Sequence, residues 1–264
     1  MAAFDPSVLK QPRWILAIVV GMILSLSFIL SGMWQLDRLE ERRALNTTIE
    51  ARMAEPPRSL AGILGQHGDD VDEMLYRRAV VEGTYRDEAE FFSIGRTVDD
   101  VQGTLIATPL DRPDGTVLIV VRGLAPSGVE GPPAVGFEVP DGPVVLVGRI
   151  DDGEDSTPIG EVDPEGGKLT SLSRMNLDFI YRWIEGDALP ITLILEKQSP
   201  PDPDGTPIRV PQEELTEGSH LGYAIQWFSF ATIVVFGVGA LVYRAGTKDE
   251  QGVNEAAPDR ASQP

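Results

Sequence analysis

The sequence predicts a membrane protein in which two transmembrane α-helices flank a β-rich α+β domain. Three observations lead to this fold class. Two long uncharged apolar stretches lie towards the ends of the chain, and short apolar runs separated by Gly- and Pro-containing turns lie between them. A single segment of helical period interrupts those runs. The domain is therefore predicted to be an antiparallel sheet or open barrel with one covering helix.

The first uncharged stretch covers residues 14–36, after a short polar start at residues 1–13. A cleaved signal peptide has a shorter apolar core of about 7–15 residues, so this stretch is predicted to be a retained transmembrane helix. The helical period continues through Leu36, Leu39, Arg43 and Asn46. A helical stalk is therefore expected over residues 37–55.

The second uncharged stretch runs from Leu221 to Tyr243 and also lacks proline. Its roughly 23 residues make about 35 Å of helix, enough to cross a bilayer with some tilt. We predict a transmembrane helix over residues 220–243. A Pro-rich connector over residues 198–219 precedes it, and a polar, disordered tail over residues 244–264 follows it.

The orientation follows from lysines and arginines near the helix ends. Lys10 and Arg13 precede the first helix, and Arg244 and Lys248 follow the second. The arginines just after the first helix are mixed with acidic residues. The positive-inside rule therefore predicts cytoplasmic termini and an extracytoplasmic domain over residues 56–197.

Six strands and one helix are predicted in that domain from apolar positions and turn composition. The predicted strands are residues 76–85, 89–96, 103–110, 116–122, 143–150 and 191–197. The helix has Leu177, Ile180, Tyr181 and Ile184 on one face, with Ser173 or Asn176 as its cap.

Composition excludes several classes of function. The formal net charge of -19 does not suit nucleic-acid binding, which needs a basic surface. The chain has no cysteine, hence no disulfide or thiol chemistry. No catalytic motif stands out, so an enzyme is not expected. His67 lies in a predicted loop and the acidic stretch 151–155 is interpreted as solvated, since it lacks the spacing of a calcium loop.

His220 begins the second helix and is the residue that invites a functional hypothesis. On a helix, His220, Tyr223, Ala224 and Trp227 share one face. One interpretation is an amphipathic ring at the lipid headgroup level, with the two aromatic residues in the usual interfacial belt. The other is an axial ligand to a haem iron, flanked by Tyr223 and Trp227. The residues alone leave both interpretations open.

The predicted topology brings part of the first helix to the same depth. Trp34, Gln35 and Arg38 would lie level with His220, because both helix ends face the same side of the membrane. An arginine there could pair with a carboxylate such as a haem propionate. Trp34, Gln35 and Arg38 therefore join His220, Tyr223 and Trp227 in the predicted cofactor site.

Four segments resemble the Surfeit locus protein family of cytochrome c oxidase assembly factors, which includes yeast Shy. Gly-Met-Trp-Gln-Leu-Asp-Arg at 32–38 is similar to the family motif ending the first membrane helix. Residues 76–85 resemble its first strand, and the glycines and Val-Val-Arg-Gly within 95–123 resemble its central signature. Ser-His-Leu-Gly-Tyr-Ala-Ile-Gln-Trp-Phe at 219–228 resembles the start of its second helix.

The sequence differs from the family motifs at three places. Leu124 stands where the family often has a tryptophan, Ser219 where it has asparagine, and Glu41-Arg42 where it often has Trp-Lys. The pattern is that of a divergent bacterial member.

The resemblance implies a non-enzymatic chaperone for haem-copper cytochrome c oxidase. It would aid insertion of haem a into the catalytic subunit, or stabilise that subunit, in a bacterial cell membrane. His220 is the position that the resemblance implies as a transient ligand of the haem iron. Expected partners are the catalytic subunit or a respiratory supercomplex, together with membrane lipid.

Two other functions fit the same architecture. A haem-free structural or accessory subunit of a respiratory complex would use the same helices and leave His220 dispensable. A membrane-anchored extracytoplasmic ligand-binding protein would instead use the external domain.

Overall fold

The computed structural model describes residues 4–153, 168–203, 205–212 and 214–253, with side chains as far as residue 247. Two compact units make up the chain. One comprises Met1–Thr47 with Leu215–Pro264, and the other comprises Thr48–Glu214.

The elements in chain order are α1 (Pro12–Ala54), β1 (Arg58–Ser59), α2 (Leu60–His67), α3 (Val71–Met74), β2 (Arg78–Tyr85), β3 (Phe91–Val98), β4 (Val101–Asp111), β5 (Thr116–Pro126), β6 (Pro143–Asp151), β7 (Ser171–Leu172), α4 (Leu177–Ile180), β8 (Asp187–Ser199) and α5 (His220–Val253).

The two long helices extend beyond the predicted spans. α1 has 43 residues without a break, so it includes both the first apolar stretch and the predicted stalk. α5 has 34 residues and continues ten positions past Tyr243. Residues 244–253, which the sequence analysis assigns to a disordered tail, form the end of α5 in the structure. The rest of the predicted tail lies outside the described residues.

Both helices are long and apolar enough to cross a membrane, over Pro12–Ala54 and His220–Thr247. Only 17% and 11% of their most apolar windows are buried, whereas a core helix of a soluble protein would be mostly buried. Most of the exposed large apolar side chains among the described residues lie on these helices. An exposed apolar surface of this extent suggests association with a membrane.

α1 and α5 pack closely within their unit because small residues lie at the contact. A Cβ on Gly32 would lie 2.7 Å from the ring of Phe228, so glycine is needed for this approach. Ala224 is buried on the same side of α5. Phe28 stacks on Trp227 with ring centroids 5.7 Å apart. Small residues and aromatic stacking are typical of helix pairs in membranes.

The second unit is built on an eight-stranded sheet with strand order β1-β2-β6-β8-β5-β4-β3-β7. β2 also pairs with β4 at Thr84 and Tyr85, so β2, β6, β8, β5 and β4 close into a small barrel. The predicted antiparallel sheet is corrected by this topology. The pairs β1–β2, β3–β7 and β5–β8 are parallel. The long connection between β5 and β8, which includes β6, β7 and α4, allows the chain to return alongside β5 in the same direction.

β5 is buried on both faces and lies between the two larger of three hydrophobic cores in the described part of the chain. Leu118 and Val120 point into the first core, and Val117, Ile119 and Val121 point into the second. This alternation is the two-residue period of a strand.

Each of these two cores is covered by a different helical element, so the prediction of one covering helix is incomplete. α2 adds Leu60 and Ile63 to the first core. α4 covers the second, and the Asn176 side chain caps it by accepting from the Phe179 amide at 2.8 Å. α4 is shorter than predicted. His67 ends α2 rather than lying in a loop.

Candidate functional site

His220 is the first residue of α5, and its ring is held by a side chain of α1. Nδ1 of His220 lies 2.8 Å from Oε1 of Gln35. No other hydrogen bond to this ring occurs among the described residues, so Nε2 has no partner there. Gly218 lies beside the ring with a φ of 69°, in the left-handed region that favours glycine.

The turn before His220 is bound to α1 by a second set of contacts. The guanidinium of Arg43 donates two hydrogen bonds of 2.8 Å to the Glu217 carboxylate. This hydrogen bonding lowers the pKa of Glu217 from its ordinary value. Nδ2 of Asn46 donates to the carbonyl of Thr216 at 3.1 Å. The chain therefore enters α5 from a fixed position against α1.

The predicted aromatic neighbours of His220 divide into two groups. Trp227 lies between the helices, stacked on Phe28 and edge-on to Phe230 with centroids 5.9 Å apart. Tyr223 and Trp34 are 49% and 54% exposed, so they face outwards at the same end of the helix pair. The structure brings His220 and Gln35 into direct contact and leaves these two rings at the surface.

Arg38 also lies at the surface. Its Nη1 is 2.6 Å from Oε2 of Glu41, and its guanidinium lies 5.8 Å from the centre of the Trp34 ring. This exposed ion pair is held weakly, because solvent screens both partners. The guanidinium can exchange Glu41 for another carboxylate.

The donor set fits a haem group at this end of the helix pair. A neutral imidazole with one unbonded nitrogen is a suitable axial ligand. Exposed rings of Tyr223 and Trp34 offer apolar faces, and Arg38 offers a cation for a propionate. Trp227 would support such a site indirectly, through its packing against Phe28 and Phe230. Gln35 would support it indirectly by holding the His220 ring.

Sequence reasoning missed the contacts that anchor the turn before His220. Arg43 and Asn46 were interpreted only as a solvated stalk, and Glu217 and Gly218 as part of a connector. A signal existed in the helical period, since Gln35, Leu39 and Asn46 share one face of α1. The partners at residues 216–220 could not be identified, because they are far away in sequence.

A buried ionic cluster lies in the barrel unit. Arg122 is fully buried and pairs with Glu90 at 3.1 Å and with Asp202 at 2.8 Å. Arg209 adds a second cation to Asp202 at 3.1 Å. The two cations and two carboxylates balance in charge, as burial requires.

Hydrogen bonds from neighbouring segments support this cluster, although Nε of Arg122 is buried without a partner among the described residues. Glu90 accepts from the Thr108 hydroxyl at 2.6 Å and from the Ala134 amide at 2.7 Å. The Tyr85 ring lies 5.6 Å from the Arg122 guanidinium, and burial raises the pKa of its hydroxyl. Because Ala134 and Asp202 belong to segments outside the strands, the cluster fastens those segments to the barrel. It is interpreted as structural.

Cavities elsewhere in the described residues include a polar pocket and an apolar groove. A polar pocket of about 410 Å³ is lined by Asp152, Asn176, Asp178 and Tyr181. An apolar groove of about 450 Å³ lies between α1 and α5, with Ser25 in its lining. No group of three or more metal-binding side chains occurs in the part of the chain that the structure describes.

Comparison with known proteins gives one consistent family. The model of the SURF1 family matches residues 22–232. A SURF1-like protein of Monosiga brevicollis is 26% identical over 216 residues, covering 77% of this chain and 79% of the relative. Uncharacterized SURF1-like proteins of Mycobacterium tuberculosis and Mycobacterium bovis are each 26% identical over 266 residues, covering 92% of this chain and 90% of the relative. The matched span includes both His220 and Gln35.

Proposed function

Because the chain belongs to the SURF1 family of cytochrome oxidase assembly factors, we propose that it promotes maturation of a haem-copper cytochrome c oxidase. The specific step is insertion of haem a into the catalytic subunit, or stabilisation of that subunit as it receives the group. The protein acts as a chaperone, without catalysis of its own.

The observation that supports this proposal is the His220 ring. Gln35 occupies Nδ1 at 2.8 Å, and Nε2 is left without a hydrogen-bond partner among the described residues. The amide of Gln35 therefore holds the ring through one nitrogen and leaves the other available to a metal ion.

When bound, haem would supply an iron that binds an imidazole nitrogen. In this chain Nε2 of His220 would be the nitrogen that holds it. Arg38, already exchangeable between Glu41 and solvent, would pair with a propionate. A single protein ligand gives weak ligation, which suits transfer to an oxidase subunit better than storage.

The partners and the orientation belong to the same proposal. The partner is the catalytic subunit of the oxidase, alone or in a respiratory supercomplex, reached within a bacterial cell membrane. The barrel faces outside the cytoplasm and both ends of the chain face inside. Lys10, Arg13 and Arg244 support this orientation by the positive-inside rule.

The test is the visible absorption spectrum of the chain purified in detergent after production together with haem a synthesis. We expect a Soret band in the wild type and its loss in His220→Ala. The control is His67→Ala, which removes the chain's other histidine, at the end of α2. That variant should keep the band.

Two outcomes contradict the haem step. If His220→Ala retains the wild-type band, His220 is not the ligand. If neither protein contains haem while an oxidase subunit still co-purifies, the function is that of a haem-free scaffold or accessory subunit.

A further inference from the structure

We propose that Gln35 is a positioning residue that selects the tautomer of His220 and thereby makes Nε2 the ligating nitrogen. The proposal concerns the chain without any bound group. Its consequence for haem rests on the proposed function and is tested separately.

The contact between the two side chains carries the argument. Oε1 of Gln35 is an acceptor, so at 2.8 Å from Nδ1 the ring nitrogen must carry the proton. A neutral imidazole has one protonated nitrogen. Nε2 therefore holds the free lone pair, and the choice of tautomer follows from one hydrogen bond.

The surroundings of the ring leave Nε2 accessible. A Cβ on Gly218 would lie 3.4 Å from Cδ2 and 3.6 Å from Nε2 of His220. Any side chain at this position would begin in contact with the ring edge that carries Nε2. Glycine leaves that edge uncovered, and both Gly218 and Ser219 are exposed.

The backbone around the pair is held in place from α1. Arg43 binds Glu217 and Asn46 binds the Thr216 carbonyl, so the turn before His220 is attached to the helix that carries Gln35. The hydrogen bond between Gln35 and His220 therefore has little freedom to change its geometry. Proteins commonly orient a histidine ligand by an oxygen acceptor on its non-ligating nitrogen, such as a carboxylate, a backbone carbonyl or water, and the Gln35 oxygen has the same role here.

The direct test is nitrogen NMR of the detergent-solubilised full chain labelled in histidine, at an alkaline pH where imidazole is neutral. The chain has two histidines, so His67→Ala assigns both rings. We expect His220 to be protonated at Nδ1 in the wild type. Gln35→Leu should abolish this preference and give both tautomers, whereas Gln35→Glu, which keeps an acceptor, should retain it.

The matched control is Gln226→Leu, which removes an exposed glutamine of α5 without touching the His220 ring. It should leave the tautomer unchanged. A wild-type ring protonated at Nε2, or an unchanged tautomer in Gln35→Leu, would overturn the proposal.

A second measurement connects the tautomer to haem binding. Removal of such a hydrogen bond typically lowers metal affinity by about 10–100-fold. Titration with haem should show this loss in Gln35→Leu but not in Gln226→Leu, and Gln35→Glu should restore affinity. The iron–histidine stretching frequency should fall in Gln35→Leu and rise in Gln35→Glu, because a stronger acceptor makes the imidazole a stronger donor.

The two proposals fail in different ways. If no protein binds haem but the NMR result holds, the proposed function fails and the role of Gln35 stands. If haem binds through His220 and the Gln35 variants match the wild type in tautomer and affinity, only the positioning role is overturned.

Discussion

At the scale of single residues, the chain contains two polar arrangements with different energetic consequences. His220 and Gln35 form a half-buried hydrogen bond, whereas Arg122, Glu90 and Asp202 form a fully buried ionic cluster. Removing one partner from a buried cluster leaves charges without compensation. The barrel cluster should therefore affect stability far more than the contact at α5 does.

Replacing Arg122 with methionine tests this difference. Arg122→Met removes the cation paired with the buried Glu90 carboxylate and leaves Asp202 with Arg209 alone, and we expect a loss of about 3–5 kcal/mol in the free energy of unfolding. The measurement is urea unfolding of the full chain in detergent. Arg78→Met is the control, since the pair of Arg78 and Glu196 is 28% and 27% exposed and should contribute about 1 kcal/mol or less. Equal losses of stability in the two variants would contradict the interpretation that the Arg122 cluster stabilises the barrel.

The sequence predicts which residues lie at one depth, and the structure shows which of them are in contact. His220 and Gln35 were placed at one depth by the lengths of the apolar stretches. Arg38 was expected at a propionate, and the structure shows it paired with Glu41. The choice between neighbouring partners depends on side-chain positions, which helical spacing does not determine.

At the scale of elements, the close packing of α1 and α5 is what brings Gln35 to His220. A larger residue at Gly32 would meet the ring of Phe228, since even a Cβ would lie 2.7 Å from it. The Gln35 contact lies on the next turn of α1. Separation of the helices should therefore also disturb the His220 ring.

The variant Gly32→Leu tests this dependence. We expect overpacking to cost about 1–3 kcal/mol in thermal unfolding in detergent, and the His220 tautomer preference to be lost. Gly237→Leu is the control, because nothing lies within 4 Å of a Cβ at Gly237 on α5. Both changes raise helix propensity equally, so the difference between them isolates packing. A Gly32→Leu variant as stable as the control would show that the helices do not require this approach.

The sequence indicates where most strands lie, but it does not indicate which strands pair with one another. The six predicted strands overlap β2, β3, β4, β5, β6 and β8. α2 was missed because its apolar positions are few and the neighbouring glycines resemble a loop. The parallel pairing of β5 with β8 was missed because it depends on the path of an intervening segment.

At the scale of the whole molecule, the family and the two apolar helices suggest membrane association, and the orientation remains our proposal. The absence of cysteine makes this testable, since any introduced thiol is unique. We expect a membrane-impermeant maleimide to label Glu82→Cys, on an exposed position of β2, in intact cells. Leu9→Cys, exposed before α1, should be labelled only after the membrane is opened. The reverse pattern would place the barrel in the cytoplasm.

Local periodicity and composition control the features of this protein that are visible in its sequence. These features are two long uncharged helices, a strand-rich segment between them, and a likeness strong enough to indicate the family, which the comparisons confirm. Apolar residues that recur every 3.6 or 2 positions mark helices and strands, and this pattern can be recognised in a single sequence because it involves only residues close together in the chain.

Tertiary structure alone decided which distant residues meet. It closed the barrel through β2 and β4, assembled the cluster around Arg122, and set Gln35 against His220. These contacts join residues far apart in sequence. They are selected by the packing of whole elements, because the close approach of two surfaces determines which polar groups can share a hydrogen bond.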